Sequence, residues 1–207
     1  MDDGRSYNYK QLSEGDSLTN DDIDRISKLI YETDPFIYPA MFGSYINTKK
    51  LMPYLIEHHD PMFKLQNIFV AQEEGRIIGI VLWVKGSLIW TPELIKEACI
   101  AENVPVSEYL DLVAKEYVES YNKDREAVIN IINVCVLQEY RGVGIGEEMM
   151  KAFFDQHKCS SYELCVLKEN ENAVKLYTKL GFVQEVEYRG FTVDERVVYA
   201  YKMLRNG

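Results

Sequence analysis

The 207-residue chain sets 33 acidic against 23 basic side chains, a formal net charge of −10, with 47% apolar residues and 6 prolines. That balance excludes a disordered chain and argues against a nucleic-acid backbone or an anionic membrane as partner, while it suits a cationic acceptor such as an amine. No charged leader with an apolar core opens the sequence and no apolar run is long enough to span a bilayer, so a cytoplasmic protein is expected.

Ser6 to Leu12 predicts a first strand. Asn20 is placed to cap a helix from Asp21 to about Thr33, with two aspartates in its first turn and Ile23, Ile26, Leu29 and Ile30 as its apolar stripe. Asp34-Pro35-Phe36-Ile37-Tyr38-Pro39 reads as an aromatic-rich loop held by two prolines. A helix over Thr48 to His58 follows, tolerating Pro53 only near a start or kink. Asn67 to Gln72 and Ile77 to Lys85 predict a hairpin. Thr91-Pro92-Glu93 reads as a helix start with a side-chain cap and proline at its first position, leading to about Glu102, and Ser107 caps a further helix to Tyr121. The acidic residues of this helical pair are most simply a solvated face.

A β-branched strand through Val134, Cys135 and Val136 then feeds Arg141-Gly142-Val143-Gly144-Ile145-Gly146, after which helical spacing sets in with Met150, Phe153 and Phe154 on the apolar side. Ser161 to Val166, Val183 to Tyr188 and Arg196 to Leu204 complete the strands, with Gly190 to Glu195 as the last turn. The pattern predicts an α/β fold of the α+β type, a mixed, mostly antiparallel sheet of six to seven strands with helices on both faces. No repeat, low-complexity stretch or linker composition interrupts it, so residues 1–207 are expected as a single domain with an extra helical segment at about 91–122.

The glycine turn carries the chemistry. Alternate glycines where a helix begins let several unpaired N–H groups converge on one external group, and the positive end of the helix dipole points the same way, so the turn is built to hold a phosphate or pyrophosphate. Arg141 at the mouth adds a charge-assisted donor. The spacing does not match the dinucleotide fingerprint GxGxxG, no Gly-Lys-Ser/Thr of a P-loop is present, and a nucleotide-binding protein is disfavoured. A second motif runs from Leu164 to Phe182: a strand, a polar turn with Asn170 at the cap, an amphipathic helix with Ala173, Leu176, Tyr177 and Leu180 on one side, and Gly181 as its stop. Asn170 and Tyr177 lie two helical turns apart and share a face. The cysteines, Cys99, Cys135, Cys159 and Cys165, show neither CxxC spacing nor histidine neighbours, so reduced thiols and no metal are expected.

RxxGxG at Arg141, Gly144 and Gly146 followed by NxxAxxLYxxxGF from Asn170 to Phe182 closely resembles the GNAT superfamily of acetyl-coenzyme A-dependent N-acetyltransferases, over about Ile129 to Phe182. The resemblance implies that the fourth and fifth strands splay apart around the pantetheine arm. The arm would meet main-chain groups of Val134 and Val136 and the side chain of Asn170, with Arg141, Gly142, Val143, Gly144, Ile145, Gly146 and Glu147 around the diphosphate. It implies Tyr177 as general acid, protonated at neutral pH and able to donate to a departing thiolate. Family members carry a general base at positions held here by Cys165 and Asn130, neither of them a good base. Glu163, on the same strand face as Cys165, is a weak candidate, its simpler reading being a solvent-exposed strand glutamate. Phe36, Ile37 and Tyr38, in a region that borders the family's acceptor site, are candidates for acceptor contact or for a lid over the core. The extra helical pair is free to shape the acceptor pocket or to form a homodimer surface. The implied activity is transfer of an acetyl group to a primary amine in a small molecule or peptide, within a ternary complex; the alternative is a non-catalytic acyl-coenzyme A sensor of the same fold.

Overall fold

The computed structural model describes residues 6–87, 90, 92–121, 127–193 and 196–207. Seven strands, β1 (Tyr7–Gln11), β2 (Ile68–Glu73), β3 (Arg76–Lys85), β4 (Val128–Val136), β5 (Ser161–Leu167), β6 (Val183–Val193) and β7 (Arg196–Asn206), form one sheet in the order β1-β2-β3-β4-β5-β7-β6. Every neighbouring pair is antiparallel except β4–β5. One face is covered by α1 (Asn20–Thr33), α2 (Ile37–Phe42), α3 (Tyr45–Glu57), α4 (Glu93–Ala101) and α5 (Leu110–Tyr121). The other carries α6 (Ile145–Gln156) and α7 (Glu171–Lys179). β2 explains how one sheet serves two cores: Ile68 and Val70 enter the first, Phe69 and Ala71 the second, so the strand reads as an unbroken apolar run.

Helix starts differ from expectation where a neighbouring residue makes the better cap. Thr19, not Asn20, caps α1: its hydroxyl accepts from the Asp22 N–H at 3.1 Å while the Asp22 carboxylate accepts from the Thr19 N–H at 2.9 Å, a reciprocal box. The expected loop from Asp34 to Pro39 winds into α2 from Ile37 onward, because the Asp34 carboxylate accepts from the N–H groups of Phe36 and Ile37 at 2.7 and 2.8 Å. Pro39 is harmless there, since the first turn has no use for its missing N–H. α3 begins at Tyr45 under a Ser44 cap, so Pro53 sits in its interior. Pro92 is the cap of α4 and not its first residue, and Thr91 lies outside the described residues. Ser107 precedes α5 without capping it; its hydroxyl accepts from the Tyr109 N–H and donates to the Ala40 carbonyl, pinning the α4–α5 connection to α2. The last turn was expected at Gly190 to Glu195, but β6 continues to Val193, and residues 194 and 195 lie outside the described residues.

Among the described residues no helix is long and apolar enough to cross a membrane, and no three His, Cys, Asp or Glu side chains gather as metal ligands. All four cysteines are free thiols.

Candidate active site

The site is made by two strands that part company. β4 and β5 pair only from Val128 opposite Ser161 to Ile131 opposite Leu164. Beyond that, β4 stays with β3 as far as Gly79 opposite Val136, and β5 stays with β7 as far as Leu167 opposite Ala200. The register shift that puts Leu82 opposite Asn133 and Trp83 opposite Ile131 leaves Ile132 without a partner on β3. Such a bulge bends its strand and raises the local twist, and it stands where β4 departs. After the bulge, the Leu137 N–H bonds the Ile78 carbonyl at 2.9 Å. Groups of alternate residues point to the same neighbour, so those of Cys135 and Leu137 face β3 while those of Val134 and Val136 face the opening.

A groove of about 600 Å³ fills this opening. Val134, Val136, Arg141, Gly142, Gly144, Ile145, Gly146, Glu147 and Asn170 all line it. Val143 does not; it is 65% exposed. Gly142 and Gly144 adopt φ of +82° and +98°, a left-handed backbone that a side chain would strain. The Gly144 carbonyl accepts from the N–H groups of Glu147 and Glu148 at 3.0 and 3.1 Å, closing the first turn of α6 around it. The Asn170 side-chain oxygen caps α7 by accepting from the Ala173 N–H at 3.2 Å, which directs its oxygen away from any ligand and leaves its amide as the donor. Glu147 is clamped by Lys151 at 2.8 Å and Lys179 at 2.5 Å, and hydrogen bonds from those ammonium groups hold its carboxyl below the usual range.

Arg141 lines the groove with its side chain bonded to the groove's own wall. Its Nε donates to the Val136 carbonyl at 2.7 Å, and one terminal nitrogen lies 3.7 Å from the Cys135 sulfur and 3.6 Å from the Glu32 carboxylate. Glu32, Thr33 and Asn172 also line the groove and were missed by sequence reasoning; the first two arrive on α1, more than a hundred residues away along the chain. Only the pairing of α1 with β3 and β4 brings them there.

Tyr177 lies in the apolar layer beneath α7, 7% exposed and edge-on to Phe182 with ring centroids 5.8 Å apart. Burial, then the neighbouring Cys135 thiol, pushes its phenol up, so it stays protonated across the neutral range. Glu163 is not the solvent-exposed glutamate expected: it is 3% exposed and its carboxylate meets Lys202 Nζ at 2.7 Å. The β5–β7 register puts Cys165 opposite Lys202, and Asn130 stands beside Glu163 on β4. Asn130 Nδ2 donates to the Gly86 carbonyl at 2.6 Å, tying β4 to the end of β3. Tyr38 is fully buried, stacked on Phe42, and donates to Asn133 Oδ1 at 2.6 Å. Ile37 packs against the core, and Phe36 lines a second groove between α2 and the α4–α5 connection. None of these three aromatic-loop residues lines the first groove.

Residues 38–182 match the model of the acetyltransferase (GNAT) family. An N-alpha-acetyltransferase of Sulfurisphaera tokodaii is 23% identical over 186 residues, 86% of this chain and 84% of the relative. Among solved structures, an acetyltransferase aligns at TM-score 0.61 and 17% identity, covering 96% of this chain and 98% of that one. The NatC complex bound to Gag peptide and CoA aligns at 0.57 and 16% identity, covering 97% and 98%. An N-acetyltransferase from Staphylococcus aureus aligns at 0.56 and 17% identity, covering 95% and 99%. With the family model matching most of its length, the chain belongs to the GNAT acetyltransferase family.

Proposed function

We propose that the chain transfers the acetyl group of acetyl-coenzyme A to the α-amine of a peptide, directly and with both substrates bound. The observation that carries this is the opening between β4 and β5, with the main-chain groups of Val134 and Val136 turned into it beside the Gly142–Gly146 turn. Amides of that turn and the α6 dipole hold the diphosphate, and the Asn170 amide and the edge of β4 hold the arm. The relative named an N-alpha-acetyltransferase, and the likeness to a NatC structure that carries a peptide, support a peptide acceptor.

The amine nitrogen attacks the thioester carbonyl carbon and a C–N bond forms. The oxygen takes up negative charge, and main-chain N–H groups of the outward-facing edge of β4 stabilise it. The C–S bond then breaks, the sulfur takes the phenolic proton of Tyr177, the new amide nitrogen loses its proton to water, and Tyr177 regains one from solvent. Glu163 is the carboxylate that β5 brings to the face shared with Asn130, but its tie to Lys202 favours a positioning role over proton abstraction.

The test is thiol release from acetyl-coenzyme A with three acceptors: peptides with a free N-terminus, the same peptides Nα-blocked with a lysine retained, and small amines. Release with the free N-terminus alone is expected. Release only with small amines would remove the peptide. Silence towards every acceptor together with firm coenzyme uptake would favour the sensor reading, which the uncharged Asn130 and Cys165 at the family's base positions recommend.

A further inference from the structure

Arg141 occupies the very edge that an arm lying along β4 must use. The Val136 carbonyl points into the groove and already accepts from Arg141 Nε at 2.7 Å. The same guanidinium reaches, 3.6 Å away, the carboxylate of Glu32 in the last turn of α1, and both side chains line the groove. Besides the Cys135 sulfur 3.7 Å away, two unlike partners thus hold one cation inward: a carbonyl that belongs to the binding edge and a carboxylate that belongs to another layer of the fold. A ligand bearing a diphosphate competes for that cation, and an arm bearing amide N–H groups competes for that carbonyl.

We propose that Glu32 is a positioning residue for coenzyme exchange: it holds the Arg141 guanidinium over the Val136 carbonyl until a diphosphate takes the guanidinium away, which releases the carbonyl to the arm. The inference rests on the acetyltransferase reading. Glu32 is an internal rival of the ligand, so removing its charge strengthens coenzyme binding instead of weakening it. Both side chains are part-exposed, and a pair of that kind contributes little, which scales the gain to about two- to fivefold in affinity.

The experiment is titration calorimetry of coenzyme A, the thiol form that cannot turn over, into the wild type, Glu32→Gln, Arg141→Ala and the double variant, with melting temperatures as the check on folding. Glu32→Gln is expected to tighten binding about two- to fivefold in the wild-type background and to have a clearly smaller effect once Arg141 is alanine. Equal tightening in both backgrounds would reduce Glu32 to a general repulsion of the anionic ligand and overturn the proposal. Unchanged or weaker binding in Glu32→Gln, at an unchanged melting temperature, would overturn it as well. Should Glu32→Gln melt early, Glu32→Ser supplies the same comparison. A wild type that takes up no coenzyme A at all would instead defeat the acetyltransferase reading.

Discussion

At the scale of single residues, Tyr177 and Glu163 show what local pattern can and cannot say. Tyr177 stands out in NxxAxxLY, and in the structure it is buried beneath α7, outside the lining of the groove, with its phenol held protonated across the neutral range. Tyr177→Phe is expected to cut thiol release by about 10²-fold or more while leaving coenzyme A affinity within about twofold. Because the phenol is pushed above its ordinary value near 10, the wild-type rate should climb with pH as more acceptor amine becomes neutral, with no downturn from Tyr177 before about pH 10. A pH-rate scan checks this. Glu163 shows the opposite case: alternation places it on a strand face, but whether that face is wet depends on β7, which returns to pair with β5 from the far end of the chain. Glu163→Gln is expected to lower stability and keep the shape of the pH profile; a rate loss restored at high pH would make it the base. Lys202→Met, which removes the ammonium of a buried pair, should cost about 3–5 kcal/mol in chemical denaturation.

Elements were legible where periodicity is long and less so at their ends. All seven strands and the helices at Asn20–Thr33, Ile145–Gln156 and Glu171–Lys179 follow from the pattern. The short α2 does not, because a single Asp34 carboxylate turns Ile37, Tyr38 and Pro39 from loop into helix. The turn that opens α6 depends on left-handed backbone at Gly144. Gly144→Val is expected to store about 1–3 kcal/mol of strain, visible as a lower melting temperature, and to abolish measurable coenzyme uptake. The far end of α6 has its own signature. The His157 ring stacks on Phe153 at 4.5 Å and meets Trp83 edge-on at 4.6 Å, and burial pushes its imidazole below the ordinary value. The folded state therefore favours the neutral ring, while the unfolded chain protonates it below about pH 6.5. Its contribution is present above that value and fades as pH falls through it, so the stability gap between wild type and His157→Gln should narrow from pH 7.5 to 5.5 in urea titrations.

For the molecule as a whole, the motifs announced the glycine turn and the Asn170 cap that border the groove, whereas the α1 residues that line it, Glu32 and Thr33, depend on packing that no short window encodes. A ligand at about a hundred times its Kd stabilises its host by about 2.7 kcal/mol. Acetyl-coenzyme A at that excess should raise the melting temperature by about 5–10 °C, given about 2–4 °C per kcal/mol for a chain of this length, and a flat melting curve would contradict the proposed site. The short ladder between β4 and β5 carries this further. Among the described residues, four rungs and the Ser160 N–H bonded to the Ala127 carbonyl just outside them stitch the amino-terminal leaf of the sheet to the carboxy-terminal one. If the carrier lies along the gap, it is a structural member as well as a reagent, and the amides of Val134 and Val136 should exchange with deuterium quickly without it and slowly with it. Starved of thioester, such a protein would offer proteases an unclosed seam, and its survival would track the supply of the molecule it consumes.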